Sequence, residues 1–395
     1  MLYRDGLTRE GIVVDVIIVG AGPVGLSLAL GLARAGKSVV VLEKDPGLHT
    51  TSRAPIIWPR TQEILADLGV MDRFESASII LKQFTMWNAD SNHKLISLPI
   101  SELKDQTHFP QILILPQHKT EALLYEALKA YPSVQVHFAH EVTGLSQDSE
   151  SVRVRYATNG TSESEMVASY VVGCDGAHSA IRAALGLELD GITYPLMAAL
   201  ADVKLPYNDP NWVFPRLSVK DVPVVAVQIE LGEWRLILPF TQDESITMDE
   251  RVRLSVKNLF HQADYSLIWQ SEFKLHQRIS PQFALGRVAL AGDAAHLNSP
   301  VGGQGMNSGI QDGALLCTAL VKAIDTRNPA LLQPNAEMRH AKINFGVNQF
   351  TNILTRVVML SKGRYMPWVL RILNLVLKIP SLRQKFLMKL TMLGD

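Results

Sequence analysis

The run Gly20-Ala21-Gly22-Pro23-Val24-Gly25 follows a short apolar segment and opens a stretch of helix formers. That spacing suits one chemistry. Gly20 permits a tight turn, Gly22 lets a phosphate approach the backbone, and Gly25 lets helix and strand pack closely. The start of a helix offers unpaired N–H groups and a partial positive charge, so the ligand expected there is the pyrophosphate of a dinucleotide. Glu43 closes the next β-rich run and can accept hydrogen bonds from an adenosine ribose; Lys44 stands beside it.

Two later segments carry further chemistry. In Arg287 to His296, an apolar run ends in Gly292-Asp293, and Pro300, Gly302-Gly303-Gln304-Gly305 and Met306-Asn307 follow before another helical stretch. An aspartate after a close-approach glycine can bind a polyol hydroxyl. A glycine-rich turn that opens a helix can aim N–H groups at an electron-rich ring carbonyl. The third segment is Cys174-Asp175-Gly176-Ala177-His178-Ser179, with Arg182 beyond it. His178 and His296 are expected to hydrogen-bond within their loops, and Cys174 to be a small buried residue. The 11 histidines contain no H-E-x-x-H, and the chain has no G-x-S-x-G nucleophile elbow.

These residues need particular elements beneath them. Asp15 to Val19 and Ser38 to Glu43 read as buried parallel strands flanking a helix from Gly25 to Ala35. Helices are predicted at Thr61 to Leu68, Lys119 to Ala130, Asp249 to Gln262 and Gly309 to Ile324. Strands are predicted at Val134 to Ala139, Ser151 to Ala157, Met166 to Gly173, Val222 to Ile229, Trp234 to Leu238 and Arg287 to Ala291. Between about Gly191 and Gln282 prolines recur and helix signals thin out, so a mainly antiparallel sheet is expected there. The first architecture then returns, which makes it discontinuous. The uncharged stretch Val16 to Ala33 is long enough to imitate a membrane span, but its four glycines and one proline favour strand, turn and helix.

The three motifs together resemble the FAD-dependent aromatic hydroxylases, the single-component flavoprotein monooxygenases similar to p-hydroxybenzoate hydroxylase. The resemblance covers roughly residues 12 to 355. It implies an α/β fold: a Rossmann-like FAD-binding domain over 1–80, 106–190 and 283–355, and a mainly antiparallel substrate-binding domain over 81–105 and 191–282; the residues past it, 356–395, read by their own pattern as C-terminal amphipathic helices. It places FAD at Gly20, Gly22, Pro23, Val24, Gly25, Glu43, Lys44, Arg53, Gln117, Asp175, Gly292, Asp293, Pro300, Gly303, Gly305, Met306 and Asn307. The ring environment would be Pro300, Gly302, Gly303 and Gln304. It also implies NADPH or NADH as a transient reductant, O2 as co-substrate, and hydroxylation of an aromatic or polycyclic substrate through a flavin C4a-hydroperoxide. The same flavin chemistry could serve epoxidation, Baeyer–Villiger oxidation or drug inactivation, and a flavin-bound protein that only binds a ligand is a rival of another class. The larger members' thioredoxin-like C-terminal domain is not expected at this length, and these residues hold no second G-x-G-x-x-G for a separate NADPH domain.

Tyr194, Arg216, Trp234, Arg235 and Phe240 are the candidates for substrate contact, with Trp212. The proton-transfer base is not named by the sequence. Balanced charge, with 38 basic and 38 acidic residues, excludes a general nucleic-acid footprint. Two cysteines fit a reducing cytoplasm. From Met366 the tail is basic and amphipathic, with Pro380 ending one helix and Ser381 capping the next. It fits packing on the body of the enzyme, or peripheral membrane contact beside a lipophilic substrate; a homodimer is the remaining partner expected.

Overall fold

The computed structural model describes residues 14–50, 54–158, 160, 162–206, 214–240, 246–261, 264–360 and 365–394. Val14–Val19 lies at the centre of an eight-stranded sheet, parallel to Val39–Leu42 on one side and to Ser162–Gly173 on the other. Val134–His137 and Val288–Leu290 extend the parallel order outward. Val152–Thr158 and His140–Gln147 add an antiparallel wing to Ser162–Gly173. Val16, Ile17 and Ile18 are completely buried. A strand covered on both faces must be apolar throughout, which is why Val-Ile-Ile-Val shows no alternation. The would-be membrane span is this strand followed by the helix Pro23–Arg34. Among the described residues no helix is long and apolar enough to cross a membrane.

The second sheet also has eight strands, in the order His296–Leu297, Ser266–Ile279, Asp190–Lys204, Glu233–Phe240, Val224–Glu230, Arg216–Ser218, Gln83–Asn88 and His93–Pro99. Its pairs are antiparallel except that joining Arg216–Ser218 to Gln83–Asn88. One face, with Trp234, Leu236, Leu238 and Phe240, packs on the helix Met248–Phe260. The opposite face looks toward the first sheet. The long strands Asp190–Lys204 and Ser266–Ile279 are not among the sequence predictions. Pro195 interrupts the first of them, and the ladder accommodates it with a register shift between Thr193 and Met197.

The C-terminal helices are Met366–Val376 and Pro380–Leu390. Pro380 sits in the first turn of the second helix, where its missing N–H costs nothing, and Ile379 holds the cap position. Ser381 therefore does not cap it. Leu387 and Leu390 bury themselves against the body of the protein.

Candidate active site

Gly20 adopts φ +106°, and a Cβ there would sit 2.4 Å from the Cys174 carbonyl oxygen. The ends of the first strand and of Ser162–Gly173 are thus in backbone contact, joined by the Cys174 N–H donating to the Val19 carbonyl at 2.8 Å. A Cβ on Gly25 would meet the Gly20 carbonyl at 2.0 Å. Gly22 differs: a Cβ there would meet nothing within 4 Å, and its φ of −72° suits any residue. No side chain caps the helix that it opens. Gly22 is thus free for a ligand, whereas Gly20 and Gly25 are occupied by protein.

The other two motifs are fastened to this loop. The Arg182 guanidinium donates to the carbonyls of Ala177 (2.8 Å) and Ala294 (2.9 Å), bridging the Asp175 and Asp293 segments. A Cβ on Gly309 would strike the Val24 Cγ2 at 2.5 Å, so the helix Gly305–Thr326 lies against the first motif. Asp175 Oδ2 accepts from the Ile181 N–H at 3.2 Å, while its Oδ1 is buried with no protein partner. Asp293 is exposed to the same cavity. Cys174 is half-buried at the cavity wall; burial, with the Asp175 and Asp312 carboxylates, pushes its thiol well above the usual range. A reactive thiolate is not favoured there.

Beneath the Asp293 loop lies a charge cluster drawn together from separate elements of the chain. Asp312 Oδ2 accepts from the Gly292 N–H at 2.9 Å and lies 2.6 Å from His296 Nε2. Its Oδ1 accepts from Arg339, whose guanidinium also donates to the Ser308 carbonyl at 3.1 Å and hydroxyl at 3.0 Å. Burial works to raise the Asp312 pKa, but the Arg339 and His296 charges and hydrogen bonds prevail and hold it down at about 2. His296 is thereby bound within the loop's support and is not presented to the cavity.

Pro300, Gly302, Gly303, Gly305 and Met306 line the cavity. Gln304 and Asn307, which the resemblance places at the flavin, do not. Gln304 is buried and donates to the Lys389 carbonyl at 3.0 Å, anchoring the last helix. Asn307 is a clamp: its Oδ1 accepts from the Trp58 N–H at 2.9 Å, and its Nδ2 donates to the Ile56 and Gly303 carbonyls, both at 2.9 Å. The Trp58 indole N–H donates to the Gly302 carbonyl at 3.1 Å. Both polar side chains are spent on holding the glycine turn in shape. Gly25, likewise away from the cavity surface, serves by its absence of a side chain.

At the other end, Glu43 is buried. Its Oε2 accepts from the Ala21 N–H at 2.8 Å and its Oε1 from the Asp45 N–H at 3.0 Å, leaving acceptor capacity on both oxygens. Gln117 donates to Glu121 at 3.0 Å, and both line the cavity with Lys44. His49 lies 3.1 Å from Glu121, and that hydrogen bond above all raises its pKa to about 9. Glu121 and His49 are additions to the sequence reading. Arg53 lies outside the described residues, as does Trp212.

The cavity, about 1840 Å³, continues from the glycine loops to the inward face of the second sheet. That exceeds the roughly 300–1,000 Å³ of a pocket for one small ligand. Strand alternation decides which side chains reach it. Leu196, Ala198 and Leu200 face inward from one strand, and Arg235, Ile237 and Pro239 from its neighbour. Trp234 and Phe240 therefore point the other way, Trp234 edge-on to Phe260 and Phe240 beneath the Arg251 guanidinium at 4.5 Å. Tyr194 is buried, its hydroxyl 2.7 Å from Gln277 and 2.8 Å from Asn352. Arg216 is buried and donates to Asn92 at 3.3 Å. Tyr194, Arg216, Trp234 and Phe240 are thus not on the cavity wall; of the five sequence candidates Arg235 alone borders it, its side chain only 1% exposed. It is held by a bidentate pair with Asp202, 2.8 and 2.7 Å.

These residues fit FAD. The open Gly22 cradle and uncapped helix suit its pyrophosphate, Glu43 a ribose, and Asp293 and the orphaned Asp175 oxygen its remaining hydroxyls and polar edges. Among the described residues no group of three or more His, Cys, Asp or Glu side chains is placed to hold a metal ion.

Residues 13–348 match the family model described as FAD binding domain. The para-nitrophenol 4-monooxygenase of Pseudomonas sp. (strain WBC-3) is 30% identical over 321 residues, 78% of either chain. The 6-hydroxy-3-succinoylpyridine 3-monooxygenase HspB of Pseudomonas putida is 33% identical over 327 residues, 80% of this chain and 82% of that one. Among solved structures, p-nitrophenol 4-monooxygenase PnpA from Pseudomonas putida DLL-E4 superposes with a TM-score of 0.85, at 25% identity, covering 96% of this chain and 98% of that one. The anhydrotetracycline hydroxylase OxyS from Streptomyces rimosus gives 0.80 at 28% identity, covering 96% and 76%.

Proposed function

The chain belongs to the FAD-binding-domain family of flavin-dependent aromatic hydroxylases, and on that premise we propose how its residues divide the work of an FAD-dependent monooxygenase acting on an aromatic or polycyclic substrate. One observation carries the reading: three separated motifs converge on a cavity that runs on into an apolar chamber. When bound, FAD supplies acceptance of electrons from a nicotinamide and activation of O2 for transfer of one oxygen atom. The protein supplies the rest. Gly22 and the helix start hold the pyrophosphate; Glu43, with Gln117 and Lys44 nearby, holds the adenosine half; Asp175 and Asp293 hold the sugar-alcohol chain. The turn from Pro300 to Met306 presents N–H groups to the ring edge, and Asn307 and Trp58 keep that turn rigid. Leu196, Leu200, Ile237 and Pro239 exclude water from the reacting atoms.

Arg235 is the polar anchor of the substrate chamber. Its guanidinium, pre-oriented by Asp202, sets a fixed positive charge at the chamber wall that favours an acidic or phenolic oxygen. Removing the pair together (Arg235→Leu with Asp202→Leu) avoids stranding a buried carboxylate. It should raise KM for phenolic or carboxylated aromatics about tenfold or more, and that for neutral aromatics of equal size far less. The test of the whole reading is a titration of the purified yellow protein with aromatic ligands. Some must accelerate NADPH oxidation, and labelled O2 must place one labelled atom in the product. Oxygen consumption unaffected by any aromatic would favour a ligand-binding protein. A labelled epoxide or ring-expanded ester would favour the other uses of the same chemistry.

The reductant has its own approach. Lys274, His276 and Arg278 line the cavity together with His178 and Arg182 of the Asp175 motif, and exposed Lys274 and His178 mark its solvent rim. Burial, then the neighbouring Arg278 and Lys274 charges, lowers the His276 pKa, so at neutral pH the positive potential rests on the lysine and arginines. A pyrophosphate of NADPH or NADH suits that rim. Lys274→Glu is expected to raise KM for the nicotinamide about tenfold, most steeply at low salt, with flavin content unchanged. Stopped-flow flavin reduction across a salt series checks it; a salt-independent change would remove the rim from the docking site.

A further inference from the structure

The helix Met366–Val376 is apolar on two sides. Met366, Val369, Leu370 and Leu373, at the spacing of one helical face, line the chamber. The outer side carries Tyr365, Trp368, Ile372 and Leu375, continued past the helix end by Ile379 and Leu382, all 40–63% exposed. Scattered apolar residues on a surface need no explanation, but a contiguous ridge of large ones does.

Charge identifies what covers it. Residues 365–394 hold five Lys and Arg and no Asp or Glu; Arg383 is paired with Glu102 at 2.7 Å, which leaves Arg371 and three lysines to carry the positive charge. Lys378, Lys385 and Lys389 are exposed, and the Arg371 guanidinium lies 5.5 Å from the Trp368 ring. Aromatic rings and aliphatic side chains along a ridge, with cations on long stems beside it, match the boundary between acyl chains and anionic headgroups. A second copy of this chain would bring the same positive charge against itself across a two-fold contact.

We propose that this ridge docks on an anionic membrane surface, and that lipid-dissolved substrate enters the chamber past the same helix. The docking stands on the ridge alone; the entry route rests on the hydroxylase reading above.

The test uses the FAD-loaded full chain and vesicles of phosphatidylcholine with and without phosphatidylglycerol. The protein should sediment with the anionic vesicles. Ile372→Glu with Leu375→Glu should weaken partitioning at least tenfold, and Lys378→Gln with Lys385→Gln about fivefold per lysine. Flavin content and melting temperature should match the wild type, because all four side chains are exposed and face away from the chamber. Docking is overturned if wild-type protein stays in the supernatant with anionic vesicles, or if the glutamate variant sediments equally well. It is also overturned if sedimentation equilibrium shows a dimer that the glutamate variant splits, since a second copy then covers the ridge. For entry, a lipophilic aromatic preloaded into vesicles should show a lower KM with wild type than with the glutamate variant, and a water-soluble aromatic no difference; equal KM values for the lipophilic one overturn the route. Failure of the hydroxylase reading looks different: no aromatic accelerates NADPH oxidation in vesicle-free solution, whatever sediments.

Discussion

Gly22→Val should give a folded, colourless protein, and Gly25→Ala a poorly folded one. The two glycines are three residues apart in one motif, yet their surroundings differ in kind. At Gly22 an added Cβ would meet no protein atom within 4 Å, and φ of −72° is ordinary for a valine. The free fold is untouched, but the new methyl groups fill the space through which a pyrophosphate reaches the helix start. Losing about two charge-assisted hydrogen bonds there, each worth roughly 1.5–3 kcal/mol, weakens FAD binding by about 10²–10⁴-fold. At Gly25 the new Cβ lands 2.0 Å from a backbone carbonyl, which cannot swing aside as a side chain would. The glycine loop must move from the strand end, at a cost of about 3 kcal/mol or more. Flavin absorbance after desalting, circular dichroism and thermal melts with and without added FAD separate the cases. A yellow Gly22→Val protein would show that the phosphate does not pass over this residue.

That contrast marks where the sequence is legible. Glycines report backbone demands directly, so Gly20, Gly22, Gly25 and Gly292 could be read from spacing, and the loops that carry them do meet around one cavity. The buried strands were legible for the same local reason: an unbroken Val-Ile run leaves few alternatives. The substrate wall was harder. Trp234 and Arg235 are adjacent, and a strand sends adjacent side chains to opposite faces; composition does not say which face is the chamber. The aromatic residue went to the helix-packed core and the charged one to the cavity, where Asp202 across the ladder receives it. The side-chain roles of Gln304 and Asn307 are illegible for another reason. Both sit in the right loop, but polar side chains in a rigid turn are spent on backbone groups brought from elsewhere, here Lys389, Trp58 and Ile56. Partners that distant leave no local trace, which is also why Asp312, Arg339 and Glu121 were not anticipated.

Asp312 is where the largest loss of stability is expected. Its carboxylate holds the Gly292 N–H, His296 and Arg339 at once, all buried. Asp312→Ala leaves the guanidinium without its carboxylate and frees the loop that carries Asp293. Breaking a buried ion pair by removing one member costs about 3–5 kcal/mol, so a sharply lowered melting temperature and released flavin are expected at neutral pH. Asp312→Asn keeps the shape and discards the charge, which isolates the electrostatic part. The sign follows from the depressed pKa, about 2 in the fold against 3.8 for a free carboxyl. A group of that kind contributes fully above the unfolded value, and its contribution fades as pH falls through the folded one. The wild type should therefore be more stable than Asp312→Asn at pH 5 to 7, and the gap should close between about pH 4 and 2. Melts across that range decide the matter. A gap unchanged at pH 2 would mean that shape, not charge, secures the loop; no gap at pH 7 would mean that Asp312 is not what holds Asp293 in place.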